Sequence, residues 1–361
     1  MRLVNAVTLE LEDFSNKPVP QYAILSHTWG DGEVTLQDMQ DAQMASQKAG
    51  YAKIKKCCEL ARVRGLKYAW VDTCCIDKSS SAELSEAINS MFKWYEDSHD
   101  CYAYLADVEP EATSAVASFK KSRWFTRGWT LQELLAPTKL HFYASDWTYI
   151  ATRRRISKQL SLITKIDESF LDRPDNQGID KMLGAASIAE RMSWASNRQT
   201  TREEDIAYCL LGLFGINMPL LYGEGKRAFR RLQEEIVRRS DDQSLFAWMY
   251  TAEHHGPDGF PGFLAASPSN FAESSHIVPC RAGSRRSVFS ISNKGLQISL
   301  PMLEEHALLE CHPSDDPSTL IVVRLRHFHG DTYGRAVDEK QAGPSASSQK
   351  GSTSYAYRGC R

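Results

Sequence analysis

Over the first 145 residues, short apolar runs alternate with stripes of apolar residues at helical spacing. Such alternation predicts a parallel sheet flanked by helices. Tyr22–Ser26 reads as a buried strand, ended by the turn-forming run Thr28-Trp29-Gly30-Asp31-Gly32. A helix is expected over Tyr51–Arg64, with Tyr51, Ile54, Cys58 and Ala61 on one stripe. Tyr68–Asp72 is a second strand. Ser80-Ser81-Ala82-Glu83 fits a capping box, after which Leu84, Ile88, Met91 and Tyr95 form the apolar face of a further helix. Cys101–Leu105 and Leu140–Ala144 supply the third and fourth strands, and a short helix runs from Gly128 to Leu135, stopped by Pro137. In open sheets of this kind ligands bind outside the carboxyl ends of the strands, so the strand-to-helix turns are where chemistry is expected.

The pattern then changes. Residues 149–245 form a helical extension: Thr201-Arg202-Glu203-Glu204 offers a cap ahead of Ile206, Cys209, Leu210 and Leu213, Gly215 stands at a helix C-terminus, and Glu224–Arg239 is a charged amphipathic helix. Residues 246–330 are β-rich, with strands at Ser287–Ser292, Leu296–Leu300 and Thr319–Leu325 and a turn at Asn293-Lys294-Gly295. Residues 331–361, rich in Ser, Gly and Ala, are expected to be disordered. The first domain is set at residues 1–148, and the helical extension is expected to pack on it and restrain its ligand edge.

Composition narrows the class. Forty-three Lys and Arg against 45 Asp and Glu give no electrostatic reason to expect nucleic acid as partner. Nine cysteines, an odd number with two adjacent pairs and no Cys-x-x-Cys, suit reduced thiols in the cytoplasm. Nothing in Met1–Glu12 resembles a signal peptide, so none is expected, and the most apolar stretch, Tyr208–Ile216, is about half the length that crosses a bilayer, so no transmembrane segment is expected. No cofactor and no metal site is predicted, because adjacent cysteines such as Cys57-Cys58 and Cys74-Cys75 seldom converge on one ion. A thiolate nucleophile at Cys74 or Cys75, activated by His27 and Asp72, is a weaker alternative than a small buried hydrophobe. Gly223-Glu224-Gly225-Lys226 lacks the spacing of a phosphate loop.

Three segments place polar and aromatic residues at the expected ligand edge. They are Tyr22-Ala23-Ile24-Leu25-Ser26-His27-Thr28-Trp29-Gly30, Trp70-Val71-Asp72-Thr73-Cys74-Cys75-Ile76-Asp77-Lys78 and Arg127-Gly128-Trp129-Thr130-Leu131-Gln132-Glu133-Leu134-Leu135. In this order and spacing they resemble the signature blocks of the fungal heterokaryon-incompatibility (HET) domain. Arg191-Met192-Ser193-Trp194-Ala195, Thr200–Asp205 and Pro219–Gly225 resemble the helical extension common behind such domains.

The resemblance implies a role in fungal allorecognition and programmed cell death, and a TIR/flavodoxin-like α/β fold. Some TIR domains hydrolyse NAD with a Trp followed four residues later by the catalytic Glu. Trp129, Glu133 and Leu134 reproduce that pattern, with Thr130 where plant TIR domains commonly have Cys. The resemblance therefore implies Glu133 as catalytic residue, NAD as substrate and activation through self-association or a protein partner. Trp129, Ser26, His27, Trp29, Asp72 and Asp77 would bind substrate. A carboxylate can stabilise the positive charge that develops on the ribose, and an indole can stack on a flat base. The alternative is a non-catalytic signalling module acting through the same surfaces. Catalysis needs Glu133 in an open concave site, whereas a scaffold would bury it against an arginine.

Overall fold

The computed structural model describes residues 1–110, 115–174, 178–250, 262–280, 288–336 and 356–358. The chain divides into two compact units. One comprises Met1–Met182, Arg198–Thr201 and Tyr208–Leu220, and the other Leu183–Asn197, Arg202–Ala207 and Leu221–Arg361.

The first unit is α/β, built on a mixed sheet of seven strands. These are β1 (Arg2–Asn5), β2 (Leu11–Asp13), β3 (Ala23–His27), β4 (Tyr68–Trp70), β5 (Asp100–Tyr104), β6 (Leu140–Tyr143) and β7 (Tyr149–Thr152), in spatial order β2-β1-β4-β3-β5-β6-β7. The four strands expected from the sequence are the parallel core, β4-β3-β5-β6. Their register runs Ala23 beside Ala69 on one side and Asp100 on the other, and His27 beside Tyr104. The sheet is not purely parallel, because β1 joins β4, β2 joins β1 and β7 joins β6 in antiparallel sense. Numbered within the parallel core, the strand order is 2-1-3-4, so the chain reverses its winding direction between β3 and β5. In doubly wound sheets that switch point opens the ligand crevice.

The helices are α1 (Ala42–Gln47), α2 (Tyr51–Val63), α3 (Asp72–Cys75), α4 (Ser81–Asp97), α5 (Ala115–Lys121) and α6 (Thr130–Leu135). Helix α2 buries Ile54, Cys57, Cys58 and Ala61, as its stripe predicts, with Cys57 in place of Tyr51. The second core strand is two residues shorter than expected, since Asp72 already begins α3. At the start of α4 the Ser80 hydroxyl accepts from the Glu83 N–H at 3.3 Å, but the Glu83 carboxylate turns instead to the Asp77 N–H at 2.8 Å and to Arg2.

Part of the helical extension belongs to this same unit. The short helix Leu211–Phe214 ends on Gly215, whose φ of 61° is the left-handed cap expected there. A Cβ on Gly212 would stand 2.1 Å from the Cβ of Phe92 on α4, so this helix and α4 approach to a distance that only glycine permits. Asn89 of α4 ties the contact, donating to the Met218 carbonyl at 3.3 Å and accepting from its N–H at 3.1 Å.

The second unit contains the amphipathic helix Arg227–Val237 and small antiparallel sheets. Strands β8 (Ile277–Pro279) and β13 (Cys311–Pro313) pair, as do β9 (Phe289–Ser292) and β10 (Gly295–Ile298). Strands β11 (Met302–Leu303), β12 (His306–Leu308), β14 (Thr319–His329), β15 (Thr332–Arg335) and β16 (Ala356–Arg358) form the larger sheet, in which β15 and β16 both pair with β14. Strand β15 falls inside the segment expected to be disordered, so the ordered chain extends past residue 330; residues 337–355 and 359–361 of that segment lie outside the described residues. The misread segment pairs with β14, and this non-local partner is invisible to composition. Among the described residues, no helix is long and apolar enough to cross a membrane, and no group of His, Cys, Asp and Glu could hold a metal ion.

Candidate functional site

All six residues of α6 are buried, Glu133 among them, so the surroundings of this helix must satisfy its polar groups. Its C-terminal carbonyls are met by two buried arginines. Arg153 donates to the carbonyls of Leu134 at 2.7 Å and Pro137 at 2.9 Å, and Arg173 to those of Ala136 and Pro137, both at 2.9 Å. Positive charge there also complements the helix dipole. At the other end the segment around residue 199 clamps the approach to the helix: the Gly128 N–H donates to the Gln199 carbonyl at 2.8 Å and the Gln199 N–H to Thr126 at 2.7 Å. The Arg198 guanidinium donates to the Arg127 carbonyl at 2.8 Å and to the Thr130 hydroxyl at 2.9 Å. Thr130 thus has a structural role, its hydroxyl donating in turn to the Trp124 carbonyl.

Inside this frame the Glu133 carboxyl accepts a hydrogen bond from Ser26 on β3, whose hydroxyl accepts from the Trp124 indole N–H at 2.8 Å. Glu133 is only 6% exposed and Ser26 fully buried. Burial raises the Glu133 pKa to about 8, aided by the negative charge of Asp72, against the hydrogen bond from Ser26, the neighbouring Tyr95 hydroxyl and the charge of Arg198. Trp129 stands four residues earlier as the N-cap of α6 and is half-buried.

A second set of side chains occupies the ends of β3 and β4. His27 Nε2 lies 3.0 Å from Asp72 Oδ1, and the Trp29 indole N–H donates to the other Asp72 oxygen at 2.8 Å. Burial pushes the Asp72 carboxyl up, but the hydrogen bond to His27, the nearby charge of Lys78 and the Trp29 N–H together bring it down to about 2. His27 Nδ1 approaches the Lys53 ammonium at 3.3 Å, and Lys53 is paired with Glu33. Trp29 is 47% exposed, and the Lys78 ammonium lies 3.5 Å over its ring. Asp77 is engaged in its own loop, accepting from the Ser79 N–H at 2.9 Å and from Gln37 at 3.2 Å.

The structure therefore gathers Ser26 with Glu133, and His27 and Trp29 with Asp72. Trp124, Tyr95, Arg198 and Lys78 were missed in the sequence. Tyr95 lies on the apolar face that periodicity predicts for its helix, yet its hydroxyl donates to the Leu25 carbonyl at 3.1 Å. Arg198 arrives from a segment 65 residues beyond Glu133, and nothing local announces the contact. Lys78 closes the second signature segment, next to Asp77, and could have been read from that position. Cys74 and Cys75 are buried, and burial together with the neighbouring thiol raises the Cys74 pKa, the opposite of what a nucleophile needs.

Comparison with known proteins places these residues in context. Residues 22–120 match the family "Heterokaryon incompatibility protein (HET)", and residues 227–300 match a domain of unknown function, DUF8212. Over 254 residues the chain is 44% identical to the vegetative incompatibility protein HET-E-1 of Podospora anserina. That alignment covers 68% of this chain but only 18% of the relative, so the chain spans less than a fifth of it. No solved structure matches. Ser26, His27, Trp29, Asp72 and Asp77 fall within the matched family region, whereas Trp129 and Glu133 follow it in the same structural unit. The N-terminal part of the chain is thus a heterokaryon-incompatibility (HET) domain.

Proposed function

We propose that the chain is the effector part of a fungal allorecognition system, acting in the cytoplasm and killing by cleavage of the nicotinamide–ribose bond of NAD. The observation that carries this reading is the separation of two interacting carboxyls at the sheet's carboxyl edge. Asp72 is held ionised, near 2, while Glu133 is pushed to about 8. Environments that drive neighbouring acids apart in this way are characteristic of catalytic sites. The 2-1-3-4 order of the parallel core supports the TIR/flavodoxin-like assignment and points to the same edge.

In the reaction the bond from ribose C1′ to the pyridinium nitrogen breaks and its electron pair neutralises the ring, so nicotinamide leaves without a general acid. Ionised Glu133 stabilises the positive sugar. Water then adds to C1′ and gives up its proton, with Glu133 as the acceptor. Glu133 is neutral at pH 7 in the closed arrangement; hydration on opening lowers its pKa, and self-association or a protein partner is the trigger that opens it.

A non-catalytic signalling module is the alternative, and the near-complete burial of Glu133 in a Ser26–Trp124 network favours it. Free nicotinamide, measured by chromatography after incubating the purified chain with NAD under crowding, separates the two. Release by the wild type and none by Glu133→Gln is expected; equal release by both would remove Glu133 from catalysis.

A further inference from the structure

Trp29 is a large aromatic side chain, 47% exposed, at the carboxyl edge, and its indole N–H is held in place. Its N–H is fixed at 2.8 Å on Asp72, which is itself held by His27 at the end of β3. One face of this ring carries the Lys78 ammonium at 3.5 Å. The Lys78 residue reaches solvent, but burial against the ring lowers the pKa of its ammonium and Asp72 attracts it, so a flat π-system takes this face of the ring at the expense of that contact unless the ammonium finds another anion. A displaced ammonium stays tethered next to the same ring, where it can meet an anionic group of the incoming molecule.

We infer that Trp29 and Lys78 form a nucleotide subsite, in which an aromatic base stacks on the indole in place of the Lys78 ammonium and the ammonium pairs with the phosphates. The ligand class is a nucleoside di- or polyphosphate. A base without phosphate must displace Lys78 and gains nothing in return, whereas a nucleotide recovers the charge contact. Lys78 therefore selects for phosphate and guards the platform against bare nucleosides. Asp72 acts as a positioning residue that sets the plane of the ring.

This subsite rests on the nucleotide-cleaving assignment above, and its test uses ligands that contain no scissile nicotinamide bond. Binding of ADP and of adenosine to the full chain is measured by calorimetry. Wild type is expected to bind ADP more tightly than adenosine. Trp29→Ala should weaken ADP roughly tenfold, the order of one base stacked on an aromatic ring, and Trp29→Phe should retain most of the affinity. Lys78→Met, with its fold checked by a melting curve, should weaken ADP several-fold and tighten adenosine. Opposite shifts for the two ligands are the signature of a cap that doubles as a phosphate contact. The subsite is overturned by absence of ADP binding at millimolar concentration, by unchanged ADP affinity in Trp29→Ala, or by Lys78→Met moving both ligands the same way. ADP binding that depends on Trp29 in a chain that leaves NAD intact keeps the subsite and removes the hydrolase. Nicotinamide release with ADP binding indifferent to Trp29 does the reverse.

Discussion

Glu133 is the residue at which stability and chemistry oppose each other. Its carboxyl titrates near 8 when folded, against 4.5 for an ordinary glutamate, so the folded chain binds a proton that the unfolded chain releases between those values. The stabilising contribution of the neutral acid is complete below about pH 4.5 and is lost as the pH rises through 8. Glu133→Gln keeps the neutral shape and the acceptor for Ser26. Its melting temperature should lie close to wild type at pH 5 and exceed it by several degrees at pH 8. Coincident melting curves at both pH values would show that the carboxyl is not held neutral. Ser26 serves the same network from the other side, accepting from Trp124 and donating to Glu133. Ser26→Ala leaves two buried polar atoms without their partner and should cost about 1–3 kcal/mol in urea unfolding, with most of that cost absent in a Glu133→Gln background if the pair acts as a unit. The sequence marked Ser26 and Glu133 separately through their motifs. Their contact, across 107 positions, required the sheet.

At the scale of elements, periodicity located what packing then confirmed in the parallel core, in α2, α4 and the helix Arg227–Val237. Those segments carry their burial in their own spacing. Strands β1, β2 and β7 were not legible because Arg2–Asn5, Leu11–Asp13 and Tyr149–Thr152 are short, and their strand state comes from the neighbour they pair with. Helix α6 is a further case: six residues are too few to be stable alone, and Arg153, Arg173 and Arg198, all distant in sequence, hold its ends. The contact between Leu211–Phe214 and α4 has its own test. Gly212→Ala places a methyl 2.1 Å from the Phe92 Cβ and 2.3 Å from its Cγ, where α4 cannot yield without disturbing Tyr95 and the sheet beneath it. The variant should lose about 1–3 kcal/mol or more of stability, and Phe92→Ala combined with it should not restore wild-type stability, because alanine keeps the Phe92 Cβ that makes the closest clash. A Gly212→Ala protein as stable as wild type would mean that this close approach does not exist in solution.

For the whole molecule, two units share a chain that passes between them several times, and neither corresponds to one uninterrupted stretch. A fragment of residues 1–150 therefore lacks Arg198–Thr201, which clamp the approach to α6, and Tyr208–Leu220, which cover α4. It should show no cooperative thermal transition by circular dichroism, and a sharp transition at the wild-type temperature would show that the extension is independent. The far end of the chain is decided by one arginine. Arg335 on β15 stacks its guanidinium 3.6 Å over the Trp248 ring and donates to the Phe246 carbonyl at 3.0 Å and to the carbonyl of Trp248. Those carbonyls belong to buried residues, so deleting the donor leaves them unpaired in an apolar setting. A stop after Gly330, harmless if the tail were a disordered appendage, removes β15, this anchor and the strand Ala356–Arg358 that also pairs with β14. Truncation at Gly330 should lower the melting temperature by several degrees and expose the β14 edge to association, and Arg335→Ala in the full chain should reproduce most of the thermal loss. If truncation leaves both melting and solubility unchanged, β15 contributes nothing to the second unit, and the compositional expectation for the tail holds from residue 331 onward.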